Sequence, residues 1–150
     1  MPATPVLPEL GPWALVGRDH PALHEPAKLI DEVTAHHWNL AARLVATVRA
    51  HDGVALTAPQ IGHGVSLMAS IGGDVVANPR ITEASTDTEL GRETCLSLPG
   101  RVYEVERPSK VQVTGMGLDG QWSQWWVDGF LARMWCHTID HLNGIMLSDI

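Results

Sequence analysis

Two histidines one helical turn apart constrain this chain more than any other feature of its sequence. His137 and His141 lie near the C-terminus, in a segment that reads WCHTIDH. Residues at positions i and i+4 share one face of a helix, with about 5–6 Å between their Cβ atoms. Two imidazoles at this spacing can bind one metal ion, so the segment is predicted to be a metal-binding helix. The alternative is chance, because the chain contains eight histidines.

The residue between these histidines that should carry proton chemistry is absent. In the H-E-x-x-H motif, the glutamate after the first histidine acts as the general base of a metalloprotease. This chain has Thr138 at that position. A threonine hydroxyl is not a base near neutral pH, so the pattern predicts a metal site without its usual proton acceptor.

Composition predicts one globular domain over residues 1–150, because 45% of the residues are hydrophobic and only 18% are charged. The net charge is −7 and the ten Lys and Arg residues are scattered, so nucleic acid is not expected as a partner. No stretch approaches about 18 continuous apolar residues, and no membrane span is expected. No signal peptide is visible, so a cytoplasmic location is expected.

The hydrophobic spacing predicts an α+β fold with small mixed or antiparallel sheets packed around the metal-binding helix. Residues 1–26 hold six of the ten prolines and are predicted to form an irregular arm. Two helices are predicted, over 27–50 and over Phe130–Leu142. The predicted strands and turns are 65–71, 75–77 ending at Asn78-Pro79, an exposed polar stretch at 82–92, a strand around 111–113, and a hairpin at Asp119-Gly120 with a return strand over 121–127.

Two further segments carry candidate chemistry. A catalytic metal site usually takes three protein ligands, and Cys95 is the best third ligand, although a free Cys is more often a small buried hydrophobe. A disulfide with Cys136 is the other alternative, but a Cys beside the histidine motif favours ligand chemistry in a reducing compartment. Gln60 lies in an apolar run, where its amide could donate to a substrate carbonyl or satisfy a loop.

Together these segments resemble, in order, the three signature motifs of peptide deformylases. The first family motif, G-x-G-L-A-A-x-Q-x-G, matches GVALTAPQIG at 53–62. The second, E-G-C-L-S, matches ETCLS at 93–97, and the third, Q-H-E-x-D-H-L-x-G, matches CHTIDHLNG at 136–144. The resemblance covers roughly residues 26–150 and implies a peptide-deformylase-like fold.

The resemblance also implies the metal ligands and the donors to the reacting carbonyl oxygen. Cys95, His137 and His141 match the ligands of one divalent ion, which is Fe²⁺ or a substitute such as Zn²⁺ or Ni²⁺. The Gln60 side chain and the Leu96 backbone N–H match the two donors.

Substrate and structural positions follow from the same match. Gly53 and Ala55 match positions beside the substrate backbone, and Gly62 at the far end of the motif is grouped with them. Glu93 matches a structural carboxylate that pairs with an arginine, for which Arg107 and Arg101 are the candidates.

Departures from the family pattern shape the expected activity. Thr138 replaces the general acid/base, whose loss should cost on the order of 10²–10⁴ in rate. Ala55 and Thr94 replace glycines, and Cys136 points about 100° away from His137 on a helix, so it is not expected as a ligand. The four tryptophans near the third motif are expected to pack in the core; the alternative is an aromatic wall of the substrate pocket.

The expected function is therefore a peptide-deformylase-like metallohydrolase with weakened or altered activity. Its substrate would be an N-formylated or N-acylated peptide or small molecule, and the protein would be a monomer or a homodimer. The alternative is a catalytically inactive homologue that keeps the metal site as a binding or structural module.

Overall fold

The computed structural model describes residues 1–150 and contains two α-helices and seven strands in two antiparallel sheets. This arrangement confirms the predicted α+β class. Neither helix is long and apolar enough to cross a membrane. The helices and strands are α1 (Ala35–Ala50), α2 (Gly129–Leu142), β1 (Ala55–Thr57), β2 (Leu67–Ser70), β3 (Val75–Ala84), β4 (Thr88–Glu93), β5 (Tyr103–Pro108), β6 (Lys110–Met116) and β7 (Trp122–Asp128).

The larger sheet has the strand order β1-β2-β3-β6-β7, and β4 pairs with β5 as a separate hairpin. Side chains of successive residues in a strand point to opposite faces of the sheet. In β2, Leu67 and Ala69 belong to the cluster that contains the buried residues of α1, whereas Met68 belongs to the cluster formed with α2. The two helices therefore cover opposite faces of the sheet, which explains why three successive residues of β2, Leu67 to Ala69, are apolar and buried.

The first helix begins at Ala35, not at residue 27 as the apolar spacing predicted. Residues 27–33 have no helical structure, because the chain pairs with other segments there. Lys28 forms an isolated parallel bridge with Val65, and the Asn78 side chain bonds both backbone groups of Ile30, at 2.9 and 2.8 Å. Residues distant in sequence thus form hydrogen bonds with backbone groups that would otherwise bond within a helix.

The third strand does not end at Asn78-Pro79 as predicted, but continues to Ala84. The chain passes these residues through a register shift between Ala77 and Arg80, with Asn78 at a left-handed φ of 51°. A bulge accommodates a proline without ending the strand. The predicted hairpin at Asp119-Gly120 is present between β6 and β7.

The tryptophans near the third motif divide into two pairs. Trp135 is buried, and its ring lies 5.5 Å from that of Trp125 in an edge-to-face arrangement within the core beneath α2. Trp122 and Trp126 lie on the outer face of β7, opposite the face that carries Trp125, and are exposed. The packing interpretation therefore holds for Trp125 and Trp135.

The close packing of the N-terminal arm against the end of α2 can be tested with two glycines that have similar φ angles. Gly144 has a φ of 76°, and a Cβ there would lie 2.7 Å from the backbone carbon of Glu25; Gly120 has a φ of 81° and open space around it. We expect Gly120→Ala to cost about 1–2 kcal/mol for the left-handed backbone. Gly144→Ala should cost a further 1–3 kcal/mol or so for overpacking, measured as the free energy of unfolding in urea. Equal losses would contradict close packing of the N-terminal arm on the end of α2.

Candidate metal centre

The three predicted metal ligands meet at one point of the fold. His137 and His141 project from α2, and Cys95 lies in the loop that follows β4. The Cys95 Sγ atom is 3.1 Å from Nε2 of His141, which is itself 3.1 Å from Nε2 of His137. The three donor atoms all lie within 4.8 Å of one another. The structure thus brings together residues that are more than 40 positions apart in the sequence.

The chemistry of this donor set fits a divalent metal ion. Two imidazole nitrogens and one sulfur converge, and a divalent ion would coordinate all three at once. His141 is almost fully buried, and its other ring nitrogen, Nδ1, has no hydrogen-bond partner in the protein. Thiolate and imidazole ligands suit both zinc and iron, so the set does not choose between them.

Electrostatics favour the ligand form of the cysteine. Burial raises the pKa of the Cys95 thiol, but hydrogen bonds and charges from His137 and His141 outweigh burial and lower the pKa to about 5. Burial lowers the pKa of His137, whereas Cys95 and Glu93 raise it to about 9. The cysteine is therefore a thiolate at neutral pH, which is the form that binds metals.

A buried carboxylate contacts the first histidine through the ring nitrogen that does not face the other donor atoms. Glu93 Oε1 lies 3.2 Å from Nδ1 of His137, on the ring edge opposite the donor atom Nε2. Arg107 donates two bonds of 2.9 Å to Glu93, and Arg133 donates one of 2.8 Å. Burial raises the pKa of Glu93, but the bonds from Arg107, His137 and Arg133 lower it to about 2. Arg107 also donates to Asp140 at 2.6 Å, which connects that helical acid to the same network.

Of the two arginines considered for Glu93, Arg107 pairs with it and Arg101 does not. Sequence reasoning missed Arg133 as a second partner. Its position four residues before His137, on the same helical face, was the available signal. Gly91 makes room for it, since a Cβ there would lie 2.7 Å from the guanidinium carbon of Arg133.

The predicted amide donor also lies beside the metal centre. Gln60 is buried, and its Nε2 donates to the Ser97 hydroxyl at 3.0 Å and approaches Cys95 Sγ at 3.7 Å. Its oxygen accepts two bonds of 3.1 Å from the backbone and hydroxyl of Thr57, which fixes the orientation of the amide. The N–H of Leu96 makes no hydrogen bond within the protein. Sequence reasoning did not single out Ser97.

The centre opens into a cleft of about 1240 Å³. Thr138 lines this cleft and is buried, with its hydroxyl directed to the sulfur of Met134 at 3.5 Å. The only acids that line the cleft are Glu93, which the arginines hold, and Asp52, which is exposed in the loop after α1. No tryptophan lines it, so the aromatic-wall alternative is not supported.

The three predicted substrate positions have different surroundings. Gly53 lines the cleft, and a Cβ there would lie 2.8 Å from Cδ1 of Leu96. Ala55 also lines it, and its negative φ in β1 accommodates the methyl group. Gly62, the third predicted position, lies outside the cleft lining. It ends a short 3₁₀ helix with a left-handed φ of 87°.

The remaining departures from the family motifs are accommodated locally. Thr94 is exposed on the cleft lining and has no left-handed backbone. Cys136 is buried in the core between α2 and the sheet, and burial raises the pKa of its thiol. Both cysteines are free, so the disulfide alternative is wrong.

Comparison with known proteins assigns the chain to one family. The polypeptide deformylase family matches residues 14–150, and the chain belongs to this family. The peptide deformylase of Desulforudis audaxviator is 40% identical over 143 residues, which cover 91% of this chain and 92% of that protein. That of Alkaliphilus metalliredigens is 37% identical over 134 residues, covering 87% and 90% of the two chains.

Solved structures agree with this assignment. The crystal structure of peptide deformylase from Thermotoga maritima matches with a TM-score of 0.87 at 30% identity, over 91% of this chain and 95% of that one. A peptide deformylase from Synechococcus elongatus in complex with actinonin matches with a TM-score of 0.88 at 31% identity, over 99% and 85%. The family and the fold expected from the three motifs are therefore confirmed.

The metal centre makes a direct prediction about the two cysteines. Cys95→Ala should reduce bound metal from near one equivalent to near zero, because it removes one of three donors. Cys136→Ala is the matched control, since it removes a buried thiol that faces the core. Elemental analysis of both purified variants measures the effect. Equal metal loss in both variants would refute the assignment of Cys95 as a ligand.

The carboxylate behind His137 makes a second prediction. Glu93→Gln removes the only acidic partner of Arg133 and one of the two acidic partners of Arg107, both largely buried, which should cost about 3–5 kcal/mol of unfolding free energy. It should also weaken metal affinity about 10–100-fold, because His137 loses its orienting partner. Glu89→Gln, an exposed change on the same strand, should stay within about 0.5 kcal/mol. Metal affinity unchanged in Glu93→Gln would contradict the orienting role.

Proposed function

We propose that this chain is a metal-dependent hydrolase of N-formyl or related N-acyl amides, with turnover limited by Thr138. The convergence of Cys95, His137 and His141 at the floor of a cleft carries the proposal. A divalent ion held by these residues supplies a Lewis acid and an activated water at neutral pH. Fe²⁺, Zn²⁺ and Ni²⁺ are the candidate ions, and family membership supports a formylated peptide as the substrate.

Two donors are placed to stabilise negative charge on the reacting carbonyl oxygen. Nε2 of Gln60 lies beside Cys95, and its bonds to Thr57 hold the amide in that orientation. The Leu96 N–H, one residue beyond Cys95, has no acceptor within the protein and is free to donate to a substrate. Donors held in place before the reaction stabilise an oxyanion without paying a reorganisation cost.

The chain lacks a side chain placed to transfer protons in this reaction. The Thr138 hydroxyl donates to Met134 and cannot act as a base near neutral pH. Glu93 does not substitute, because it faces Nδ1 of His137 and its pKa is about 2. The leaving amine must therefore take its proton from solvent or from the substrate, and turnover should be slow.

Restoring the carboxylate tests this explanation. Thr138→Glu should raise kcat on a formyl-Met peptide by about 10²–10⁴-fold, the range expected of a positioned general acid/base. Thr138→Gln is the matched control, since it has the same shape without the basic group, and it should give no such gain. The assay uses metal-loaded protein prepared without oxygen, with metal content measured in parallel.

Other results would overturn the proposal in different ways. Equal activity in Thr138→Glu and the wild type would show that position 138 does not limit the reaction. One equivalent of metal with no turnover in any of the three proteins would favour the inactive binding or structural module instead.

A further inference from the structure

The charges that line the cleft oppose the charge of the chain as a whole. The protein has 17 acidic and 10 basic side chains and a net charge of −7. Only two of the acidic residues line the cleft, whereas four of the ten basic residues do. The four basic residues are Arg18, Arg92, Arg101 and Arg133.

Three of these arginines have no partner in the protein. Arg133 is committed to Glu93, but Arg18, Arg92 and Arg101 are exposed, and their guanidinium groups make no ion pair or hydrogen bond. Glu104 lies opposite Arg92 in the β4–β5 ladder, yet the two side chains form no ion pair. We call Arg18, Arg92 and Arg101 the free arginines.

The free arginines come from three separate parts of the chain. Arg18 belongs to the N-terminal arm, Arg92 to β4, and Arg101 to the loop between Cys95 and β5. Their shared position on one cleft is therefore a property of the fold and not of one basic run. A cleft lined by one sign of charge focuses the electric field and concentrates ligands of the opposite sign.

Apolar side chains complete the same lining. Val54, Val102 and Phe130 line the cleft, and between 44% and 64% of each is exposed. The exposed apolar surface suits an uncharged portion of a ligand, and the guanidinium groups suit planar carboxylates, which they bind through two parallel bonds.

We propose that the cleft selects acidic N-formyl peptides, whose side-chain carboxylates are bound by the free arginines. This inference rests on the proposed function, because it concerns the substrate of the same centre. An exposed ion pair contributes little by itself, so selection should arise from several such contacts acting together.

Matched peptides measure the selection. Formyl-Met-Ala-Glu-Glu amide and formyl-Met-Ala-Gln-Gln amide differ only in two charges. We expect kcat/KM to favour the acidic peptide by about fivefold or more at 0.05 M salt, mainly through a lower KM. The ratio should fall towards one at 0.5 M salt, because screening shortens the range of the interaction.

Two triple variants with the same charge change locate the effect. Arg18→Gln, Arg92→Gln and Arg101→Gln together should bring the ratio to about one. The control combines Lys28→Gln, Arg80→Gln and Lys110→Gln, which lie outside this cleft and should preserve the ratio. A wild-type ratio near one, or equal loss in both variants, overturns the selection.

A binding measurement separates this inference from the proposed function. If neither peptide is hydrolysed, the proposed function fails, but the deformylated forms of both peptides can still be titrated by calorimetry into metal-loaded protein. Tighter binding of the acidic product by about fivefold, lost in the cleft variant alone, supports the charge selection. Equal dissociation constants for the two products overturn it.

Discussion

The carboxylate of Glu93 is the contact on which the geometry of the candidate metal centre depends. It lies at the end of β4, and both of its oxygens accept hydrogen bonds from Arg107 in β5. Oε2 also accepts from Arg133 in α2, and Oε1 lies 3.2 Å from Nδ1 of His137. One buried group thus fixes the metal-binding helix against the separate two-stranded sheet. Because a buried charge is costly without partners, the three contacts must form together, and they hold the His137 ring in one orientation.

The convergence of the three candidate ligands was more predictable from sequence than the bounds of the elements that support them. The spacing of His137 and His141 reflects the geometry of a single helix, which is a local property of the chain. Cys95 was assigned through the motif around it, and the structure brings its sulfur to the imidazoles. In contrast, residues 27–33 have apolar spacing that suits a helix, yet contacts with Val65 and Asn78 keep them out of one. Local pattern cannot reveal a partner that is distant in sequence.

Glycine positions illustrate the same limit. Gly53 and Gly62 have equal standing in the sequence motif, because both could permit a close approach or a sharp turn. In the structure, Gly53 makes room for Leu96 beside the cleft, whereas Gly62 ends a short helix outside it. For Thr138, in contrast, the sequence is sufficient, because a threonine at this position means that no carboxylate is present. The surroundings add that its hydroxyl is directed to Met134.

The N-terminal arm forms one side of the cleft although it has almost no regular secondary structure. Leu15 and Arg18 line the cleft, and the N–H of Val16 donates to the backbone oxygen of Gln60 at 3.0 Å. The arm is held on α1 by Trp13, which bonds the Thr47 hydroxyl through its backbone N–H. A protein shortened by its first 20 residues would keep every metal donor but have a wider, less cationic entrance. Ligand preference in this chain can therefore evolve through residues 1–20, which supply none of the candidate metal donors.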